Sequence, residues 1–334
     1  MGGIFLEFQV KILLLSFIAT VLLAIVIIPI LKKLKIGQTE RDDGPESHMK
    51  KQGTPTMGGI IIMIAIMVSA VGGLFYYFGK EEEAEVAKNM LPLLFITFGF
   101  GLIGFIDDFK KLVLKNTTGL KPAYKMIGLL IISVIYVLYL ERFLGLGTET
   151  FIPFLKIYID IPFWIYIPFA IFVILATTNA INLTDGVDGL AASVTAIIVT
   201  FLTVIAILFN VKEMVVYGSL VIGSAIGFLL FNLHTAKVFM GDTGSLLLGG
   251  IISAMALYLK IPLVLIIIAI VPIIETLSVM AQVTYFKKTG KRILKMAPLH
   301  HHLELSGWRE SKVVSVFSIV TLVACIIGLI SILN

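Results

Sequence analysis

The chain has 334 residues, of which 58% are hydrophobic and 14% are charged, and its formal net charge is +5. A soluble domain of this length would carry about 25% charged residues, so the composition excludes an ordinary soluble protein and indicates residence in a lipid bilayer. The basic excess is explained by membrane topology, and we expect no nucleic-acid partner. The one cysteine, Cys325, excludes an intrachain disulfide and a cysteine-based zinc site.

Long apolar runs alternate with polar segments along the whole chain, as in proteins that cross a bilayer several times. We count ten runs: Val10–Leu31, Met57–Phe78, Leu91–Ile106, Met126–Leu140, Ile161–Thr177, Leu190–Phe209, Val215–Phe231, Thr243–Leu259, Ile261–Phe286 and Val313–Leu333. No polar stretch is long enough to fold alone. We therefore predict an all-α polytopic membrane protein with about ten transmembrane helices in a single domain, residues 1–334.

The distribution of basic residues predicts the orientation of these helices. Most of the 26 Lys and Arg residues lie in the loops after the odd-numbered runs. By the positive-inside rule these loops are cytoplasmic, which places both termini outside the cytoplasm. Five aspartates lie at run ends on the same cytoplasmic side: Asp107, Asp108, Asp185, Asp188 and Asp242.

Aspartates beside hydrocarbon need a compensating role, because a charged residue costs about 3 kcal/mol at the bilayer centre. Clustered carboxylates that must be neutralised indicate a divalent cation, and a cation at a membrane surface indicates phosphate chemistry. For the pair Asp107-Asp108 two interpretations remain. Either one aspartate faces an active site while the other binds a lysine, or the pair is a helix end neutralised by Lys110 and Lys111.

The loop between the fifth and sixth runs, Asn182 to Gly189, is rich in acceptors. Its sequence Asn-Leu-Thr-Asp-Gly-Val-Asp-Gly contains no Lys or Arg, so its carboxylates have no countercharge nearby in the sequence. Glycine permits close backbone approach, whereas Asn and Asp can bind hydroxyls and imides. This composition predicts a ligand-binding loop.

The eighth run begins with the segment Phe239-Met240-Gly241-Asp242-Thr243-Gly244-Ser245. A helix N-terminus attracts anions through its free N–H groups, which makes this segment a candidate phosphate site. An ordinary N-cap function explains Asp242 equally well.

Two further features involve the ninth run and the loop that follows it. Three consecutive histidines, His300 to His302, cannot readily ligate one ion from a regular backbone, so we favour phosphate or sugar binding over zinc; a surface histidine tract is the alternative. Glu275 lies inside the run, where an ionisable group is functional by default. We favour a protonated carboxyl that forms a hydrogen bond between helices.

Together these motifs resemble the polyprenyl-phosphate N-acetylhexosamine-1-phosphate transferase superfamily, and more narrowly the phospho-N-acetylmuramoyl-pentapeptide transferase family. The resemblance spans nearly the whole chain and is carried by Gly53–Gly59, Gly104–Phe109, Asn179–Leu190, Val238–Ser245 and Ala297–Glu304. The last segment is the most specific, because relatives that transfer N-acetylglucosamine phosphate have a different histidine pattern there.

The resemblance implies ten transmembrane helices, an active site on the cytoplasmic face of a bacterial cell membrane, Mg²⁺ as cofactor and a homodimer. It also implies the reaction, in which UDP-MurNAc-pentapeptide and undecaprenyl phosphate give lipid I and UMP.

Residue roles follow from the resemblance only at matching positions. Asp242 corresponds to the Mg²⁺ ligand, Asp107 to the residue that acts on the lipid phosphate, and Asp108 and His300 complete the catalytic candidates. The candidate substrate-binding residues are Lys51, Thr56, Lys125, Asn182, Asp185, Asp188, Asn232, Phe239, His301 and His302. We prefer in-line attack by the lipid phosphate to double displacement through an aspartyl intermediate, although the residues leave both open.

Two other functions compete with this interpretation. A UDP-GlcNAc transferase of the same superfamily is disfavoured by the three histidines followed by Glu304. A secondary transporter that uses Glu275 for coupling is disfavoured because its coupling residues belong near the bilayer midplane within inverted repeats. Here the aspartates collect on one face and no repeat is evident.

Overall fold

The computed structural model of the chain describes residues 2–34, 53–80, 83–112, 114 and 119–333. The helices within these residues are α1 Gly2–Lys33, α2 Gly59–Phe78, α3 Ala84–Leu112, α4 Pro122–Arg142, α5 Phe163–Thr184, α6 Leu190–Leu208, α7 Lys212–Asn232, α8 Gly241–Tyr258, α9 Leu265–Ile268, α10 Ile270–Thr289, α11 Leu299–Glu304 and α12 Glu310–Ile332. The chain is therefore predominantly helical, as predicted.

Eight of the described helices are long and apolar enough to cross a membrane, or nine if the bent pair Pro262–Ile268 and Ile270–Thr289 forms one span. The chain is thus a polytopic membrane protein. The predicted run Thr243–Leu259 falls on α8, which is not among those spans. The total of ten transmembrane helices stays a prediction.

One β-hairpin corrects the all-α prediction. Strand β1 (Glu149–Ile152) pairs antiparallel with β2 (Ile157–Asp160) between α4 and α5. Two contacts with Lys260 attach β1 to the helices: its carbonyl accepts the Phe151 N–H at 2.8 Å, and its Nζ lies 2.6 Å from the Glu149 carboxylate. Since Lys260 follows the C-terminus of α8, the hairpin lies at the opposite end of that helix from Asp242.

The predicted run Ile261–Phe286 is not one straight helix. A 3-10 turn (Pro262–Val264) and α9 form its first part, and α10 departs at 79°. Pro272 in the first turn of α10 has no N–H, so the carbonyl of Ile268 lacks its usual helical donor, and the chain bends there.

Among the described helices α8 is the most enclosed, and it packs against α2, α3, α5 and α6. Every residue from Thr243 to Tyr258 is buried. Small residues make this packing possible: a Cβ added at Gly249 would lie 2.5 Å from the Thr178 Cα, and one at Gly250 would lie 2.6 Å from the Phe100 ring. By contrast, α1 and α10 expose many large apolar side chains, as expected for helices that contact lipid.

Candidate active site

The first turn of α8 is held in place by glycines of two neighbouring helices. A Cβ added at Gly59 of α2 would lie 2.0 Å from the Gly244 nitrogen, and one at Gly104 of α3 would lie 2.2 Å from the Asp242 carbonyl oxygen. Real Cβ atoms do not approach backbone so closely, so only glycine allows both crossings. The consequence is a backbone position for Asp242 that two helices determine.

The segments that lead into α2 and α8 are also joined by backbone hydrogen bonds. The Phe239 N–H donates to the Pro55 carbonyl, and the Gly58 N–H donates to the Phe239 carbonyl, both at 2.8 Å. The Gly59 N–H donates to the Met240 carbonyl at the same distance. The segment before α2 and the segment before α8, which are far apart in the sequence, are therefore held together by backbone hydrogen bonds.

Carboxylates from two other helices cap the N-terminus of α8. Asp108 accepts the backbone N–H groups of Asp242 and Thr243 at 3.2 and 2.9 Å, and the Thr243 hydroxyl at 2.6 Å. The Gly241 N–H donates to the Asp185 carboxylate. These N–H groups are therefore not free for a phosphate, and Asp242 is not the N-cap residue. Both sequence-based interpretations of this N-terminus need that correction.

The side chain of Asp242 instead lies between two lysines and an amide. Its Oδ2 accepts from Lys111 Nζ at 3.0 Å and from Lys125 Nζ at 2.9 Å, while its Oδ1 accepts from Asn182 Nδ2 at 2.8 Å. Asp107 shares both lysines, at 2.7 Å from Lys111 and 3.7 Å from Lys125. The side chains come from α3, α4, α5 and α8 and converge at one end of the helix bundle.

Carboxyl groups outnumber ammonium groups in this cluster. Asp107 and Asp242 contact the two lysines, whereas Asp108 and Asp185 have no lysine partner among the described residues. Burial and the charges of Asp242 and Asp108 raise the pKa of Asp185 to about 8. Carboxylate and amide oxygens are the ligands that Mg²⁺ prefers, so the donor set of this cluster fits that ion.

The three histidines have three different environments. His300 is fully buried, and an added Cβ at Gly186 would lie 2.2 Å from its Nε2, so the ring abuts the acceptor-rich loop. His301 Nδ1 lies 3.0 Å from Glu304 Oε2, whereas His302 Nδ1 accepts the Lys295 N–H at 3.1 Å. This divergence agrees with the interpretation that the tract does not ligate a single zinc ion.

Asp188 and Asn232 lie in a second cluster rather than beside Asp242. Asp188 accepts the Ala236 N–H at 3.1 Å and lies 3.4 Å from His234 Nδ1, which in turn is 3.6 Å from Glu310. Asn232 closes the same loop by donating its side-chain amide to a backbone carbonyl. The ligand atoms of Asp188, His234 and Glu310 lie within 4.8 Å of one another, so this trio is a second group that could hold a cation.

Lys51 and Thr56 are the remaining predicted residues, and Lys111 and Ser245 join the site in the structure. Lys51 lies outside the described residues. Thr56 is buried, and its hydroxyl would lie 3.1 Å from a Cβ at Gly241. Sequence reasoning treated Lys111 only as a neutraliser of a helix end, although its position four residues after Asp107 puts both on one helix face. The Ser245 hydroxyl accepts the Asn182 amide at 2.8 Å. Apart from its helical spacing from Asp242, nothing in the sequence predicts this contact.

Comparison with known proteins supplies the family. Residues 90–260 match the family model described as "Glycosyl transferase family 4", and residues 51–63 match "Phospho-N-acetylmuramoyl-pentapeptide-transferase signature 1". The chain is 47% identical to the phospho-N-acetylmuramoyl-pentapeptide-transferase of Acetivibrio thermocellus, over 96% of this chain and 94% of the relative. The chain belongs to this family. It is also 48% identical to the relative from Halalkalibacterium halodurans, over 91% of both chains.

The matched regions coincide with the cluster built above. The glycosyl transferase match contains all four aspartates around the first turn of α8, together with Lys111 and Lys125. The signature match contains Thr56 and Gly59, the glycine of α2 that contacts the first turn of α8. Family membership confirms the resemblance read from the motifs, and it argues against the transporter alternative.

Proposed function

We propose that the chain transfers phospho-MurNAc-pentapeptide from UDP-MurNAc-pentapeptide to undecaprenyl phosphate, which releases UMP and forms lipid I in peptidoglycan synthesis. The observation that carries the proposal is the convergence of aspartates and lysines at the first turn of α8, in a chain of the transferase family. Curated relatives that share 45 to 48% identity over nearly their whole length bear the name of this activity.

The chemistry requires neutralisation more than a strong base. A phosphate monoester has a second pKa of about 6, so the lipid phosphate is largely dianionic at pH 7 and already nucleophilic. Two anionic groups must nevertheless approach each other closely. Lys111 and Lys125 supply positive charge, and substrate phosphates compete with Asp107 and Asp242 for these ammonium groups.

Asp107 and Asp108 have different contacts, which support different tasks in an in-line displacement. Asp107 holds both lysines and accepts the Leu120 N–H at 2.7 Å, so it orients the groups that bind the incoming lipid phosphate. Both carboxylate oxygens of Asp108 accept backbone N–H groups of α8, so Asp108 positions Asp242. Within the candidate substrate-binding residues, the family resemblance implies that Asn182, Asp185, Asp188 and Phe239 bind the nucleoside.

Mg²⁺ held by Asp242 would neutralise the diphosphate and stabilise the departing UMP. The lysines that now bind Asp242 would transfer to the substrate phosphates, and the oxygen donors that they release suit this ion. The trio Asp188, His234 and Glu310 is the competing location for a cation.

The experiment is UMP release by detergent-solubilised protein with undecaprenyl phosphate. UDP-MurNAc-pentapeptide and UDP-GlcNAc are compared, each with Mg²⁺ and with EDTA. We expect Mg²⁺-dependent turnover of the muramoyl substrate alone. Turnover of UDP-GlcNAc alone would move the chain to the other branch of the superfamily, and turnover of neither would refute the proposal.

Two variants locate the cation. Asp242→Asn is expected to abolish turnover mainly by weakening Mg²⁺ binding, whereas His234→Ala keeps the Mg²⁺ dependence. The ion belongs to the trio instead if His234→Ala changes the Mg²⁺ concentration needed for half-maximal UMP release and Asp242→Asn leaves that concentration unchanged.

We further propose ten transmembrane helices, both termini outside the cytoplasm, an active site on the cytoplasmic face of the bacterial inner membrane, and a homodimer. The excess of Lys and Arg in the loops after the odd-numbered runs supports this orientation. A reporter enzyme that is active only outside the cytoplasm, fused after residue 334, tests the orientation. Chemical crosslinking in membranes tests the dimer.

A further inference from the structure

Glu275 is a fully buried carboxyl in α10 whose partner is not another membrane span. Its Oε1 and Oε2 accept the backbone N–H of His300 at 3.2 and 3.4 Å, and Oε2 lies 3.1 Å from the Nδ1 of the same histidine. The expected hydrogen bond between membrane helices is therefore a contact between α10 and the short helix α11. Both oxygens of Glu275 therefore accept from the backbone N–H at the start of α11.

The opposite edge of the His300 ring faces the loop that leads to the aspartate cluster. Its Nε2 abuts Gly186, which adjoins Asp185. Although His300 is completely buried, neither of its ring nitrogens has a hydrogen-bond partner among the described residues: Nδ1 lies 3.1 Å from Glu275 Oε2 without hydrogen-bond geometry, and Nε2 faces Gly186. A buried polar atom without a partner costs about 1–3 kcal/mol, so such atoms are rare away from binding sites.

We infer that Glu275 is a positioning residue, which holds His300 with Nδ1 protonated towards α10 and Nε2 aimed past Gly186 at the bound phosphosugar. The inference rests on the proposed function for its ligand, the diphosphate of the sugar nucleotide. A carboxylate beside Nδ1 fixes the tautomer and orientation of an imidazole. Nε2 is then the ring nitrogen that faces the substrate, and it donates to a phosphate oxygen when it carries a proton.

The alternative is that Glu275 merely anchors the backbone of α11. Glu275→Gln separates the two, because the amide oxygen still accepts the His300 N–H while the charge beside Nδ1 is lost. The matched control is Gln282→Ala, which removes another buried side chain of α10. Gln282 anchors the same α10–α11 connection through the backbone of Ile293 and Leu294 but touches no imidazole in the described contacts.

The kinetic test measures kcat and KM for UMP release in wild type, Glu275→Gln, His300→Ala, the double variant and Gln282→Ala. We expect Glu275→Gln to lower kcat by about 10- to 100-fold with little change in KM, as loss of a group that orients a histidine does. The double variant should equal His300→Ala alone, because Glu275 acts only through that ring. Losses that multiply in the double variant, or an equal loss in Gln282→Ala, would overturn the inference.

A second readout does not depend on turnover. In protein labelled with ¹⁵N-histidine, the imidazole signals that vanish in His300→Ala belong to His300. We expect them to report a protonated Nδ1 in wild type and a changed tautomer in Glu275→Gln. Identical His300 signals in both proteins would refute the positioning role even in an active enzyme. A changed tautomer in a protein that releases no UMP would instead refute the proposed function and leave the positioning intact.

Discussion

Gly59→Ala tests whether the helix crossing at α8 sets the geometry of the site. The added Cβ would lie 2.0 Å from the nitrogen and 2.4 Å from the Cα of Gly244, and backbone atoms cannot rotate away. Since contacts between carbon atoms are favourable only at about 3.5–4.0 Å, α2 and α8 must separate by roughly 1.5 Å. A misplacement of about 1 Å can cost about 100-fold in rate, so we expect kcat for UMP release to fall by at least that factor.

The matched control is Gly73→Ala on the same helix. Gly73 is also buried, but the nearest atoms to its added Cβ are side-chain carbons of Ile12 and Val216 at 3.7 and 3.8 Å, which is ordinary contact. Alanine in place of a helical glycine stabilises by about 1 kcal/mol, so this variant should keep its activity and have a thermal midpoint equal to or above that of wild type. The reasoning would be refuted if Gly59→Ala protein elutes as one folded species and its kcat for UMP release is within a few-fold of the wild-type value.

Two further variants test the separate tasks of the charged groups. Lys125→Gln should lower kcat/KM for UMP release by about 10²–10³-fold, because it removes a cation that is proposed to bind the phosphates. Lys121→Gln, at an exposed position one turn earlier, is the control. Equal values of kcat/KM in the two variants would contradict the assignment. Asp108→Asn should lower the free energy of unfolding in detergent by about 1.5–3 kcal/mol, since at least one charge-assisted hydrogen bond to α8 is lost. The control is Glu7→Gln, an exposed change that should leave the thermal midpoint equal to that of wild type within error. A thermal midpoint of Asp108→Asn that also equals the wild-type value would show that the cap contributes little to stability.

The sequence was a good predictor of where the helices lie, because a membrane helix must satisfy its own backbone and present apolar side chains throughout its length. All ten predicted runs fall on helical segments of the structure. The hairpin was missed because four-residue strands such as Glu149–Ile152 are too short to show an alternating pattern. The 79° bend was missed because a proline inside an apolar run does not by itself predict a break in the helix: Pro92 and Pro168 lie within continuous helices.

For the site, the sequence identified the acidic residues but not their partners. Neither Asp107 nor Asp108 carries a local sign of which one reaches the lysines and which one caps α8. That division depends on where α3 crosses α8, and Gly104 sets the crossing through its contact with the Asp242 backbone. Asp188 illustrates the same limit: three residues from Asp185 in the sequence, it turns to His234 and Glu310 instead.

The capping of α8 also explains why we propose lysines, rather than the helix N-terminus, as the groups that bind phosphate here. A free N-terminus offers about half a positive charge through its N–H groups, but Asp108 and Asp185 already occupy those of Gly241, Asp242 and Thr243. The positive charge that remains among the described residues of this cluster is on the flexible side chains of Lys111 and Lys125. Ammonium groups on long stems can exchange a carboxylate for a phosphate as substrate arrives, whereas a fixed helix end cannot follow a group that is being transferred.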